Sequence, residues 1–389
     1  MTDDATAELR RHFGEAAAIT PLASPERMGR RIDGVDLSGS LSAAQARLLI
    51  DLLDRFQIVC FSGQDEHGFD VHDLERVANH FGAPIPHPNN YANYTAHASG
   101  EPLVLHPVER RASTLNNTAF PGDIECLAGA DSPAVYIVSN VPGGGPDAEP
   151  VTAGGQHWHT DIEFEPTPLS TSIFYVHRVP TTRDAPGDTW VTNPPRDPGF
   201  YHPDSPAELA RLREELPLNG ETAYADTTAA LAALPADEQE QLERTLVRRR
   251  FRRDDDGWLV PLVHTNPRTG TKSLHSPIWA SRGKRVAPVE VDGMTPDESR
   301  HFLDRLEAHC LQPQFRYDHV HSPGDLTIWS NFSTLHVAPP VKKSINDPAD
   351  ARLMYRMSCK GEPSYELPRT DSDTWIDENI VPPYRSELV

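Results

Sequence analysis

Lysine is scarce. It occurs only at Lys272, Lys284, Lys342, Lys343 and Lys360, so arginine carries nearly all the positive charge of this 389-residue chain. Cations of both kinds are outnumbered: 57 Asp and Glu stand against 36 Lys and Arg, for a net charge of −21. A surface of that sign repels phosphate backbones and anionic lipid, which argues against nucleic acid and membrane partners. Small anionic substrates stay open, because a few buried arginines dominate a pocket locally. Cysteine is sparse as well. Cys60, Cys126, Cys310 and Cys359 lie far apart and form no CxxC pair. That removes zinc knuckles and redox dithiols and leaves ordinary core thiols of a reduced compartment. No apolar run reaches the roughly 20 residues of a membrane helix, and no apolar core follows the charged N-terminus as in a signal peptide. The expectation is a cytoplasmic protein. GxGxxG and GxxxxGK[ST] are missing too, so dinucleotide-binding and phosphate-loop folds lose their usual signals.

What is present is a hydrophobic content of 38%, enough for a large core. Residues 1–20 read as a helical lead-in. The stretch after Ser42 opens with a capping box to Gln45 and carries Leu49, Leu52, Leu53 and Phe56 at helical spacing. A buried strand follows at 58–61. A second helix over 70–81 places Leu74, Val77, Ala78 and Phe81 on one face and stops at Gly82. Strands are expected at 134–140 and 170–180, and in "QFRYDHVH", "DLTIWSN" and "RLMYRMSCK". The basic run "VRRRFRRDDDGWLVPLVH" reads as a hairpin turning at its acidic residues. "NPRTG" is a second turn, and Thr295, Pro296 and Glu298 begin a helix. The segment 203–250 reads as charged and helical, with one break near Pro235. The pattern is an all-β core with helical additions: one catalytic domain over 1–389, with lid or insertion segments at 83–155 and 195–258. A double-sheet jelly roll suits it.

The chemistry gathers around "GGQHWHTDIEF", residues 154–164. On an extended strand, side chains at i and i+2 share a face, about 6.6 Å apart. His159 and Asp161 can therefore share one ion, and so can His157 and His159. A third ligand has to come from elsewhere; His319, His321 and His336 are candidates. Arg352 and Arg356, at i and i+4, share a strand face, about 13 Å apart. Two arginines turned into an apolar core are costly unless they bind anions. Two imidazoles and a carboxylate form the facial triad of non-heme Fe(II) oxygenases. A zinc hydrolase on a cupin-like barrel accepts the same donors and needs a base, for which Glu163 or Glu165 is available.

Several blocks in order resemble the TauD/TfdA (taurine dioxygenase-like) family of Fe(II)/2-oxoglutarate oxygenases: "ITPLASPERMGRRIDGVDLSGSLS", "FGAPIPHP", "WHTDIEFEPTPLSTSIFYVHRVPTTRDAPGDTW", "PLVHTNPRTGTKSLH", "GDLTIWSNFSTLHVAPP" and "ARLMYRMSCKG". The resemblance implies a double-stranded β-helix and Fe(II) held by His159, Asp161 and His336. By it Thr189 and Arg352 hold the far carboxylate of 2-oxoglutarate. Arg356 meets an acidic group of the substrate, and His87 and Phe164 line the substrate pocket. It also implies an oxidoreductase that uses O2, hydroxylates a C–H bond of a small acidic metabolite and releases succinate and CO2. A homo-oligomer is in keeping with the family. Asp161 occupies the position vacant in the related halogenases, which favours hydroxylation over chlorination. Gly155, Asn90 and the long stretch 88–155 depart from the taurine-oxidising members. The rival readings are the zinc hydrolase and a jelly-roll protein that binds ligands without catalysis.

Overall fold

The computed structural model describes residues 2–23, 28–85, 120, 122–125, 127, 134–142, 157–165, 167–183, 189–192, 205–281, 286–338, 340–343 and 345–369. In chain order its elements begin with α1 (Thr2–Phe13), β1 (Ala18–Pro21), β2 (Arg30–Asp33), α2 (Ala43–Phe56), β3 (Ile58–Phe61) and α3 (Val71–Phe81). They continue with β4 (Ala83–Ile85), β5 (Tyr136–Ser139), β6 (Thr171–Arg178), α4 (Ala207–Glu214), β7 (Thr222–Asp226), α5 (Thr227–Ala232), α6 (Ala236–Glu243) and β8 (Leu246–Arg249). The last third holds β9 (Trp258–Pro261), β10 (Val263–Thr265), β11 (Lys272–Leu274), β12 (Glu290–Val291), α7 (Pro296–Cys310), β13 (Arg316–His319), β14 (Leu326–Ser330), β15 (Thr334–Val337) and β16 (Leu353–Lys360).

The capping boxes form as the sequence predicts. Ser42 and Gln45 close the start of α2, and Thr295 and Glu298 that of α7, with Pro296 at the first helical position. The basic run is the hairpin β8–β9, and β10–β11 pair across the "NPRTG" turn. Segment 203–250 differs from its reading as helical with one break near Pro235. It contains β7, five buried residues of small and aromatic type whose strand signal is hidden between charged helices.

Two sheets build the interior. The large one runs β1-β2-β3-β14-β6-β16-β4, with β5 also on β16; the small one runs β13-β7-β15. Period-two alternation sorts the large sheet's side chains. Val59, Phe61, Ile173, Tyr175, Leu326, Ile328, Tyr355 and Met357 face a core shared with the apolar sides of α2 and α3. The alternate residues Ile58, Phe174, Val176, Trp329 and Met354 face the small sheet and meet Tyr224 there. The small sheet alternates likewise. Ala223, Ala225, Leu335 and Val337 pack with Leu303, Leu306 and Cys310 of α7, while Tyr224 and His336 turn inward. The space between the sheets is where the site forms. Cys60, Cys310 and Cys359 are buried and unbridged. Among the described residues no helix is long and apolar enough to cross a membrane.

Candidate metal and anion site

His159 reaches the site through a backbone bridge. Its N–H donates to the His336 carbonyl at 3.0 Å and the His336 N–H returns the bond at 2.9 Å. This pairing ties the His159 segment to the edge of the small sheet and brings the two rings to 4.4 Å between centroids. The chain then leaves the extended conformation. Asp161 begins a turn in which Ile162 has φ +51°, and the turn swings the carboxylate under both rings. His159 Nε2 stands 3.5 Å from one Asp161 oxygen and His336 Nε2 3.4 Å from the other. One ligand atom from each of the three residues lies within 4.8 Å of the others, and all three residues are buried. His319 and His321, the rival third ligands, are not brought here.

The surroundings fix these donors. The Nδ1 of His159 lies 2.6 Å from the carbonyl oxygen of His157, so the ring proton sits there and Nε2 offers its lone pair. That is the contribution of His157: a backbone acceptor in place of a third imidazole. His336 is held by Trp329 and Tyr224, at 5.3 and 6.2 Å between ring centroids. Ser172 donates to Asp161 at 2.8 Å, and Asn331 donates to Ser172 at 2.9 Å. The Arg356 guanidinium forms an ion pair with the same carboxylate. Burial works to raise the Asp161 pKa. Arg356, His336 and the hydrogen bonds from both imidazoles outweigh it and hold the group well below the usual carboxylate range.

Arg356 lies on β16, while Arg352 is buried one residue ahead of the strand, whose pairing with β6 shifts register between Leu353 and Met354. Arg356 lies over Phe174, 5.9 Å from its ring centroid. Arg352 sits deeper, and burial lowers its pKa to about 10. Asn140 pins its backbone, accepting from the Arg352 N–H at 2.8 Å and donating its own N–H to the Arg352 carbonyl. Sequence reasoning missed Asn140, Ser172 and Asn331, because single polar residues at strand ends and in loops carry no periodic signal. Thr189 is exposed, and its hydroxyl donates to the Val191 carbonyl at 2.7 Å; among the described residues no contact joins it to Arg352. Its neighbour Trp190 is the residue that packs by that wall. Phe164 is buried against Phe251, 5.4 Å between centroids, and lines the continuation of the turn. His87 lies outside the described residues.

The two acids kept as hydrolytic bases are occupied elsewhere. Glu163 accepts from Ser281, and Glu165 is locked in a buried ion pair with Lys360. His319 belongs to a separate buried cluster with Cys60 and Asp325. Both its ring nitrogens are engaged there, by Tyr317 at 2.8 Å and Thr327 at 3.1 Å.

Comparison with known proteins agrees with this geometry. The sequence profile of the taurine catabolism dioxygenase TauD, TfdA family matches residues 18–194 and 197–358. Pentalenolactone F synthase of Streptomyces arenae is 31% identical over 224 residues, covering 57% of this chain and 67% of that protein. An alkylsulfatase of Acinetobacter baylyi is 23% identical over 337 residues, covering 86% and 83%. A taurine dioxygenase structure from Burkholderia xenovorans superposes with a TM-score of 0.52 at 20% identity, over 89% of this chain and 90% of that one, a likeness of fold.

Proposed function

This chain belongs to the TauD, TfdA family, and from that premise we propose that it hydroxylates a C–H bond of a small anionic metabolite. It is an oxidoreductase, a dioxygenase that uses Fe(II), 2-oxoglutarate and O2. The donor set fits the metal: two imidazoles and one carboxylate, pre-aimed, suit Fe(II) and leave adjacent coordination positions for other ligands. When bound, iron with 2-oxoglutarate and O2 supplies oxidation of the substrate C–H bond, coupled to decarboxylation to succinate and CO2.

The protein's part is placement. His159, Asp161 and His336 hold the metal, and the His157 carbonyl and Ser172 keep two of those donors in their tautomer and orientation. Arg352 takes the far carboxylate of 2-oxoglutarate. Thr189 stands one residue from Trp190 on the adjoining loop, and Thr222 offers a buried hydroxyl on β7. Phe174 and Trp329 make a dry floor between the two ends, which strengthens each charged contact. Arg356 orients the substrate's anionic group, with Phe164 on the pocket lining; a substrate contact by His87 is assigned from the family resemblance alone.

The observation that carries the anionic substrate is Arg356. It projects from the inner side of β16 to the Asp161 carboxylate, and its Nε finds no partner among the described residues. A divalent cation on Asp161 takes over the role of counter-charge and frees the guanidinium for a second anion. The relatives' names point the same way: taurine is a sulfonate and an alkyl sulfate is an anionic ester. The double-stranded β-helix winding is part of the same proposal, supported by two sheets that face each other across the site.

The test is a panel of sulfonates, sulfate esters, amino acids and carboxylic acids offered with Fe(II), 2-oxoglutarate and O2. Succinate and a one-oxygen product, or the aldehyde left after loss of a heteroatom, are the readouts. The expected result is turnover of an anionic compound, lost in His159→Ala and kept in His157→Ala. Turnover of uncharged compounds alone sinks the role given to Arg356, and hydrolysis without 2-oxoglutarate sinks the oxygenase reading.

A further inference from the structure

The interior holds polar groups that these roles leave unused. Tyr224 is fully buried, and its hydroxyl has no hydrogen-bond partner among the described residues. The Nδ1 of His321, equally buried, has none, and neither has the Nε of Arg352. A buried polar group left unpaired keeps the cost of its lost hydration. Three of them in one interior point to a guest that satisfies them.

Strand β7 sets their arrangement. Just before it, Gly220 turns the chain at φ +80° beside the arginine wall; a Cβ there would stand in ordinary contact, 3.4 Å from Trp190 and 3.9 Å from the Cδ of Arg352. Two residues on, Thr222 meets His321 Nε2 at 2.8 Å through its hydroxyl. With that hydroxyl donating, the neutral ring carries its proton on Nδ1, the free side. Burial, then His319, Arg352 and Arg183, hold His321 well below the ordinary imidazole range, so the ring is neutral. Two residues further, on the same strand face, Tyr224 pairs in register with His336. Five residues thus lead from the Arg352 wall to the metal donors. Phe174 lies on the opposite sheet, with His321 at 6.4 Å between ring centroids and the Arg356 guanidinium 5.9 Å from its centroid.

We infer that Tyr224 and His321 are specificity residues for the 2-oxo acid: the Tyr224 hydroxyl and the His321 Nδ1–H donate to its far carboxylate beside Arg352. The inference rests on the 2-oxoglutarate reading of the site. A pocket with two neutral donors and one guanidinium, all dry, discriminates strongly against a 2-oxo acid that lacks the second carboxylate, because those donors would then stay unpaired.

Calorimetric titration of the Mn(II)-loaded protein, without O2, tests this with two ligands. 2-Oxoglutarate carries the far carboxylate; 2-oxobutanoate has the same chelating head and lacks it. Tyr224→Phe and His321→Phe are each expected to raise the Kd for 2-oxoglutarate about tenfold or more, and to change that for 2-oxobutanoate by less than about twofold. His321→Asn, whose amide nitrogen takes the place of Nδ1, should recover most of the loss. Tyr224→Phe removes one oxygen, and an unchanged Mn(II) affinity shows the fold intact. Equal weakening of both ligands would put Tyr224 at the metal end and overturn the inference, as would unchanged 2-oxoglutarate affinity in both Phe variants. Wild type that binds neither ligand would instead defeat the underlying reading of the site.

Discussion

Asp226 offers a stability prediction whose shape follows from the structure. It ends β7 and caps α5, accepting from the backbone N–H groups of Thr228 and Ala229 at 2.9 and 2.8 Å. Burial nevertheless dominates and raises its pKa from 3.8 to about 6. A carboxyl raised in the folded state costs nothing while both states are protonated, below its unfolded value. The cost grows as pH rises from 3.8 toward about 6 and is then constant. At about 1.36 kcal/mol per pH unit, the full penalty is about 3 kcal/mol. Asn keeps an acceptor for the cap and carries no charge. Asp226→Asn should therefore gain stability relative to wild type by about 1.4 kcal/mol between about pH 5 and about pH 7.5, most of it before about pH 6.5. Urea unfolding of both proteins across that range measures the difference. A constant offset between the cap strengths of Asp and Asn does not enter, because only the change with pH is read. A difference that stays flat, or falls, with rising pH would refute the argument.

Ser172→Ala removes the hydroxyl between Asn331 and Asp161, and metal affinity should fall roughly 10- to 100-fold, as for other groups that orient a ligand; chelator competition with Mn(II) reads it, and an unchanged affinity rejects the role. Lys360→Met leaves Glu165 buried without its cation and should destabilise by about 3–5 kcal/mol, whereas Lys360→Met with Glu165→Leu should recover most of that. Equal melting temperatures for the single and double variants would show that the pair is not coupled.

The parts legible in the sequence were those written in local patterns. Capping boxes at Ser42 and Thr295 and the acidic turn of the β8–β9 hairpin lie in consecutive residues, and they formed as read. β7 was missed because its residues are short and its flanks are charged helices; its strand identity comes from pairing with β13 and β15, far along the chain. The spacing around "HWHTD" left His157 and His159 as equals, and only resemblance separated them. The structure gives the physical reason: one ring is turned into the site while the other residue lends its carbonyl, a role no side-chain pattern encodes. Thr189 was assigned through the family resemblance, on the strength of "GDTW"; its side chain is exposed and its hydroxyl donates to the Val191 carbonyl, a local contact that no spacing in the sequence shows.

The charge balance supports the anion proposed for Arg352. The chain is strongly acidic, yet it carries several cations into its interior, and most of them bring an anion along. Arg213 is bonded twice by Glu307, at 2.7 and 2.6 Å, and Lys360 is bonded by Glu165. Arg356 has Asp161. Arg249 donates to the carbonyl oxygens of His275 and Ser276 and feels the charge of Glu163. Arg352 differs from all of these. Asn140 binds its backbone, and among the described residues no carboxylate forms an ion pair with its guanidinium. A guanidinium cannot escape burial by giving up its proton at neutral pH, since even at about 10 its pKa lies far above. Among the described residues no charge offsets that desolvation, which supports an anion from outside the chain as the partner. The proposed acid, spanning from the metal donors to this wall, would do so with one carboxylate, and the same contact would let so acidic a protein capture an anionic cosubstrate.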